Sequence, residues 1–189
     1  MTQHRLAVIC DSHVSHRPNG RIEECERVHR WIVEDAAARG VTHGGHGGDL
    51  YHEESTIQDR LSAWKLLRRA SEICPWVIAV GNHDVSHDLD ILSSFGTTHP
   101  IHVAEYPERF EVNGVEFLCL PDTRRTDLVR ELGVDGRASV VSEAQLLTAA
   151  KARITKLATS YPKSDLPRVL LCHAMLSDAK PSNDQPIVR

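Results

Sequence analysis

The chain has 189 residues, 41% of them hydrophobic and 25% charged, with a formal net charge of −4. That is long enough to bury the core of one domain, and the acidic balance argues against a strongly basic nucleic-acid module. The apolar run in the opening "MTQHRLAVICDSH" is too short for a secretory signal, and no run reaches the length of a membrane span.

Five cysteines, Cys10, Cys25, Cys74, Cys119 and Cys172, include no Cys-x-x-Cys pair. Several sit inside apolar runs as small core residues, which suits a reducing cytoplasm.

"RLAVIC" reads as a buried strand, followed by a polar loop with Pro18, Asn19 and Gly20. Ile22, Cys25, Val28, Ile32 and Ala36 recur at helical spacing up to Gly40. A weak strand is expected over 41–46. Ile57, Leu61, Trp64, Leu67 and Ala70 then mark a second amphipathic helix. "WVIAV", residues 76–80, is the next strand, introduced by Pro75. This β-α-β-α-β order predicts a parallel layered sheet.

After residue 95 the pattern changes to short strands, "IHVAE", "ERFEV" and "VEFLCL", with Asn113-Gly114 as a hairpin turn between the last two. A third helix is expected over about 142–160. Ser142 and Gln145 fit a capping box, and Leu147, Ala150, Ile154 and Leu157 form the stripe to be buried. "RVLLC", residues 168–172, is a last buried strand before the polar tail "SDAKPSNDQPIVR".

Four polar clusters each follow an apolar strand. They are Asp11-Ser12-His13, Gly48-Asp49, Gly81-Asn82-His83-Asp84, and His173. Open sheets carry their sites at the carboxyl ends of strands, so the four are expected to converge. Carboxylate, imidazole and amide oxygen suit a divalent metal such as Mn²⁺, Fe²⁺ or Zn²⁺. Asp11 and His13, two apart in an extended chain, would project to one side. Asp49, after two glycines that let the backbone turn sharply, is placed to bridge two ions.

Asp-x-His, Gly-Asp, Gly-Asn-His-Asp and a strand-ending His, in this order, resemble the calcineurin-like metallophosphoesterase superfamily. The resemblance implies an α/β layered fold, two sheets flanked by helices, over residues 1–189. It also implies two divalent ions, Mn²⁺ before Fe²⁺, Zn²⁺ or Mg²⁺, that activate a water for phosphoester hydrolysis. By the same resemblance Asp11 and His13 would bind the first ion, Asp49 would bridge, and Asn82 and His173 would bind the second. His83 would donate a proton to the leaving group, and Asp84 would orient it.

"GGDLYHEEST" is more narrowly similar to the SbcD-type DNA-repair nucleases, in which a histidine three residues after the bridging Asp assists cleavage; His52 matches it. That branch implies a DNA substrate and an SbcC-type ATPase partner. His16 is expected on the substrate path, with Arg17 and Arg21 holding a phosphate backbone.

The superfamily pattern closes with Gly-His-x-His, which does not occur before Arg189. The chain is therefore read as incomplete at its C-terminus, with an exposed sheet edge that could pair with a second copy. Two alternatives stay open: a phosphoesterase of the same superfamily acting on a small ester or nucleotide, and a non-catalytic module with an incomplete metal site.

The remaining histidines, His4, His29, His43, His46, His87, His99 and His102, are assigned to packing or surface. Ser12 is not assigned as a nucleophile. Lys65, Arg68 and Arg69, and Arg124 and Arg125, read as solvated helix faces. "THGGHG" lacks the Val, Ile and Leu of a central strand, for which the sequence offers only close backbone packing against the metal loop.

Overall fold

Every apolar stretch read as a strand forms one in a computed structural model of the chain, which describes residues 3–17, 21–85, 88–94, 96–123, 125–133, 141–161 and 164–174. Pro18, Asn19, Gly20, His87, Arg124 and residues 175–189 lie outside the described residues.

The elements run β1 (Leu6–Ile9), α1 (Ile22–Ala38), β2 (His43–His46), α2 (Ile57–Ser71), β3 (Trp76–Ala79), α3 (Asp90–Ser94), β4 (Ile101–Ala104), β5 (Glu108–Val112), β6 (Val115–Leu120), α4 (Arg125–Glu131), α5 (Glu143–Thr159) and β7 (Arg168–Cys172). The protein is α/β. Strands β1-β2-β3-β4 form an all-parallel sheet; β5-β6-β7 form a mixed sheet in which β5 and β6 are antiparallel and β6 and β7 parallel. Asn113 and Gly114 make the β5–β6 turn at φ 45° and 79°, both positive as a type I′ turn requires. The short helices α3 and α4 carry no periodic stripe long enough to be read from sequence.

Alternation along β3 divides the core in two. Trp76 and Ile78 face the helices, packed with Leu50, Tyr51 and Leu67. Val77 and Ala79 face the second sheet, packed with Phe117, Cys119 and Leu171. A smaller cluster of Leu118, Leu120 and Leu157 seats α5 on the outer face.

Several burial expectations are corrected. "RLAVIC" is not a buried strand. As β1 it is an edge of its sheet, and Val8 is 54% exposed. The same holds for "RVLLC", where β7 is an edge and Leu170 is 55% exposed. The α2 stripe is rotated: Ile57 is 82% exposed, and Asp59, Ser62 and Ala63 are buried beside Leu67 and Ala70. The cause is the N-terminal cap. Thr56 and Asp59 form the capping box, and Asp59 also accepts from the His16 backbone N–H at 2.7 Å, which turns its face inward. On α5, Ser142 and Gln145 form the expected box, but Leu147 and Ile154 are exposed and Ala149 and Leu157 are buried. On α1 only Ala36 is fully buried.

The glycines of "THGGHG" have a cause the sequence did not show. A Cβ on Gly44 would fall 2.7 Å from Trp76 Cε3 and nearer still to Cδ2 and Cε2. The indole lies across the strand where a side chain would be. Among the described residues no helix is long and apolar enough to cross a membrane.

Candidate metal centre

The four polar clusters leave the carboxyl ends of β1, β2, β3 and β7. Beyond those ends the first two loops stay paired: Asp11 N–H donates to Gly48 O at 3.0 Å, His13 N–H to Asp49 O at 3.1 Å, and Val14 N–H to Leu50 O at 2.8 Å. His173 N–H donates to Leu120 O at 3.1 Å, which carries the β6–β7 pairing one residue past the strand.

Asp11, His13 and Asp49 have φ of 53°, 47° and 55°. The expected extended Asp11-x-His13 geometry is therefore corrected: both residues are left-handed, and they converge by that turn rather than by strand alternation. A left-handed L-residue costs roughly 1–2 kcal/mol, and such strain concentrates at functional sites.

Close glycines make room. A Cβ on Gly48 would sit 2.5 Å from His173 Nδ1. One on Gly81 would sit 3.0 Å from Asp49 Cα and closer to Asp49 N and Oδ1.

Asp49 is the buried centre, 4% exposed. Its Oδ2 lies 3.9 Å from His13 Nε2 and 4.0 Å from His83 Nε2; its Oδ1 lies 3.5 Å from His173 Nε2. Asp11 Oδ1 is 4.0 Å from the same His13 Nε2. His173 Nε2 is 2.9 Å from Asn82 Oδ1. One carboxylate thus faces Asp11 and His13 with one oxygen, and His173 beside Asn82 with the other.

The imidazoles are oriented for lone-pair donation. His173 Nδ1–H donates to Gly47 O at 2.9 Å, so in the neutral ring Nε2 carries the lone pair. That lone pair faces the Asn82 side-chain amide at 2.9 Å, an arrangement satisfied by a cation between Nε2 and Oδ1 or by the amide turned to present its NH2. His83 Nδ1–H donates to the His52 carbonyl, leaving Nε2 toward Asp49. Backbone carbonyls holding one ring nitrogen so that the other is free are the usual support of metal-ligating histidines. Two groups, Asp11–His13–Asp49 and His13–His52–His83, have ligand atoms within 4.8 Å of one another and could hold a metal ion.

His52 and His83 stack with centroids 5.8 Å apart at 7°, and His13 stands edge-on to both, at 5.2 and 5.1 Å. His52 Nδ1 is 3.4 Å from His13 Nδ1. Asp84, expected to orient His83, is buried with its oxygens on backbone amides: Oδ1 accepts from Tyr51 N–H at 2.9 Å and Oδ2 from Gly81 N–H at 2.8 Å. Burial pushes its pKa up against those bonds. Asp84 ties the β2 and β3 loops together, and the group seen on His83 Nδ1 is the His52 carbonyl.

The three residues expected on the substrate path separate. Arg21 lines a groove of about 590 Å³ that reaches Asp11, His13 and His52, and it is ion-paired with Glu24. Arg17 pairs with Glu53 at 2.5 Å. His16 Nδ1 sits 2.9 Å from Asp59 Oδ1, which locks it to the start of α2. His29 and His46, expected only to pack, and Ser12, not assigned as a nucleophile, are linked by hydrogen bonds beside the centre. Their signal in the sequence was a polar residue between two candidate ligands and a histidine on a two-sided strand.

No protein-family model matches the chain, and no curated protein matches it. The geometry by itself establishes an α/β protein whose histidines and aspartates, gathered at the strand ends, could hold metal ions.

Proposed function

We propose that the chain is a metal-dependent phosphodiesterase of the calcineurin-like metallophosphoesterase type, acting on DNA as the SbcD-type nucleases do. The observation that carries this reading is the buried Asp49, with Oδ2 toward His13 and Oδ1 toward His173, the disposition a carboxylate bridging two ions requires. Asp11, His13 and Asp49 would hold one ion, and Asp49, Asn82 and His173 the other, with Mn²⁺ suited to this oxygen–nitrogen set ahead of Fe²⁺, Zn²⁺ or Mg²⁺. Bound there, the ions would supply an activated water and neutralise charge on the phosphate oxygens.

The chain's own residues supply the rest. His83 presents Nε2 to the cleft because Nδ1–H is held by the His52 carbonyl; in its protonated form Nε2–H gives a proton to the departing alkoxide. His52 stacks on His83 at the exposed mouth of the cluster, where a strand of substrate would pass.

A second reading, a phosphodiesterase for a small ester, is favoured by one observation. Among the described residues the adjoining groove carries one basic side chain apart from its histidines, Arg21, and Glu24 pairs with it.

The test supplies Mn²⁺ and compares bis-p-nitrophenyl phosphate with linear DNA. Cleavage of both, lost in His83→Ala with Mn²⁺ binding retained, is the expected result. Cleavage of the small ester alone selects the second reading. Absence of both Mn²⁺ binding and turnover refutes the two together.

A further inference from the structure

The loop bearing Asp11 and His13 is fastened to the loop bearing Asp49 by side chains that belong to neither set of candidate ligands. Gly48 N–H donates to His46 Nδ1 at 3.2 Å. The proton of a neutral His46 is therefore on Nε2, and Nε2 lies 2.7 Å from Ser12 Oγ. Ser12 Oγ accepts that proton and donates its own to His29 Nε2, 2.8 Å away. His29 then donates from Nδ1 to the Cys25 carbonyl at 2.9 Å.

Both ends of this chain are backbone groups, a donor at Gly48 and an acceptor at Cys25, and they fix the direction of every bond between them. The Cys25 thiol lies 3.4 Å from the Ser12 carbonyl and donates to it, so Ser12 is held at its side chain and its backbone.

His46 is fully buried. Burial lowers its pKa to about 3 and also lowers that of His29. Both rings are neutral at pH 7, as the bond directions require.

Ser12 is the residue between Asp11 and His13, whose left-handed backbones, φ 53° and 47°, are strained for L-residues. A conformation of that kind persists only where its surroundings over-determine it. The geometry points to His46, Ser12 and His29 as a positioning relay that holds Asp11 and His13 in the conformation able to bind one of two metal ions. The other ion would share Asp49, but its own ligands, Asn82 and His173, bond to each other and to the Gly47 carbonyl rather than to Ser12, His46 or His29, so it should be affected far less. This rests on the two-metal reading above.

The experiment has two parts. Long-range ¹H–¹⁵N correlation spectra of the histidine rings at pH 7, without metal, should show His46 protonated on Nε2 and His29 on Nδ1. Calorimetric Mn²⁺ titration should show two sites in the wild type. In Ser12→Ala one site should weaken by about 10–100-fold, the range for loss of a group supporting a ligand, and the other should stay within about twofold. Ser12→Thr, which keeps the hydroxyl, should recover most of the loss.

His29→Ala breaks the relay from the α1 side without changing any residue of the loop and should weaken the same site, so the test stands even if Ser12→Ala folds poorly. His46 protonated on Nδ1, or two unaltered Mn²⁺ sites in Ser12→Ala, would overturn the relay. A wild type that binds no Mn²⁺ overturns the two-metal reading and the relay's metal role with it, while the ring tautomers still report whether the hydrogen-bond chain exists.

Discussion

Gly81→Ala removes no candidate ligand and should still disable the centre. The added Cβ would lie 3.0 Å from Asp49 Cα and closer to Asp49 N and Oδ1. Optimal carbon contacts begin near ~3.5 Å, so one of the two loops has to shift by about 1 Å. Asp49 has little room to yield: its Oδ1 accepts from His83 N–H at 3.0 Å and its carbonyl from His13 N–H at 3.1 Å.

Overpacking of this kind costs about 1–3 kcal/mol, offset by about 0.4–1 kcal/mol from the stiffer unfolded chain. At about 2–4 °C per kcal/mol for a chain this long, Tm should drop by no more than about 10 °C. A misplacement of about 1 Å costs on the order of 100-fold in catalysis, so turnover should fall by about that factor while the chain stays folded.

Gly45→Ala is the control. Its Cβ would meet Leu171 Cδ1 at 3.5 Å and Val8 Cγ2 at 3.7 Å, ordinary contacts, so both Tm and turnover should stay near wild type. The assays are thermal denaturation, Mn²⁺ titration and bis-p-nitrophenyl phosphate hydrolysis. Wild-type Mn²⁺ affinity and turnover in Gly81→Ala would refute the reasoning, because Asp49 would then not be fixed where the structure puts it.

Asp49→Asn leaves one oxygen for two cations and should lose at least one Mn²⁺ by calorimetry and all turnover; two ions bound at wild-type affinity would rule out a bridging carboxylate. His52→Ala should lower DNA cleavage with little change in Mn²⁺ affinity, since the carboxylates of Asp11 and Asp49 remain; unchanged cleavage would count against the nuclease assignment. Acid should destabilise the fold through His46, whose folded pKa is lowered to about 3 from 6.5. The unfolded chain binds the extra proton, so stability from this group is complete above about pH 6.5 and is lost as pH falls toward about 3. The slope is about 1.4 kcal/mol per pH unit at most, read from urea midpoints, and His46→Gln should flatten it; an unchanged slope in the variant would assign the acid sensitivity elsewhere.

The convergence of Asp11, His13, Asp49, Asn82, His83 and His173 was legible because each follows a segment read as a strand, and sites gather at the carboxyl ends of such strands. The turn at Asn113-Gly114 and the cap at Ser142 were legible because their chemistry is local. What was not legible depends on partners distant in sequence. Val8 and Leu170 read as core, yet strand order makes β1 and β7 edges. Ile57 fits a helical stripe, yet Asp59 capping turns another face inward. His46 looked like packing because its value lies in a proton's position, fixed by an amide at Gly48 and a hydroxyl at Ser12. Asp84 looked like a partner for His83, and its hydrogen bonds to Tyr51 and Gly81 cross two loops that no local pattern connects.

The indole of Trp76 lying over Gly44 also bears on how the protein comes to be folded. Strand β2 has two consecutive residues with no side chain, so little in it favours an extended chain until neighbours are present. Its order is imposed from both sides, by β1 and β3, and the Trp76 indole is itself covered by β2 at Gly44. Of the three tryptophans, Trp31 stays largely in water, Trp64 is half-buried on α2 and Trp76 is buried against this strand, so in a Trp64→Phe background the Trp76 emission would report burial of the strand that leads to Asp49.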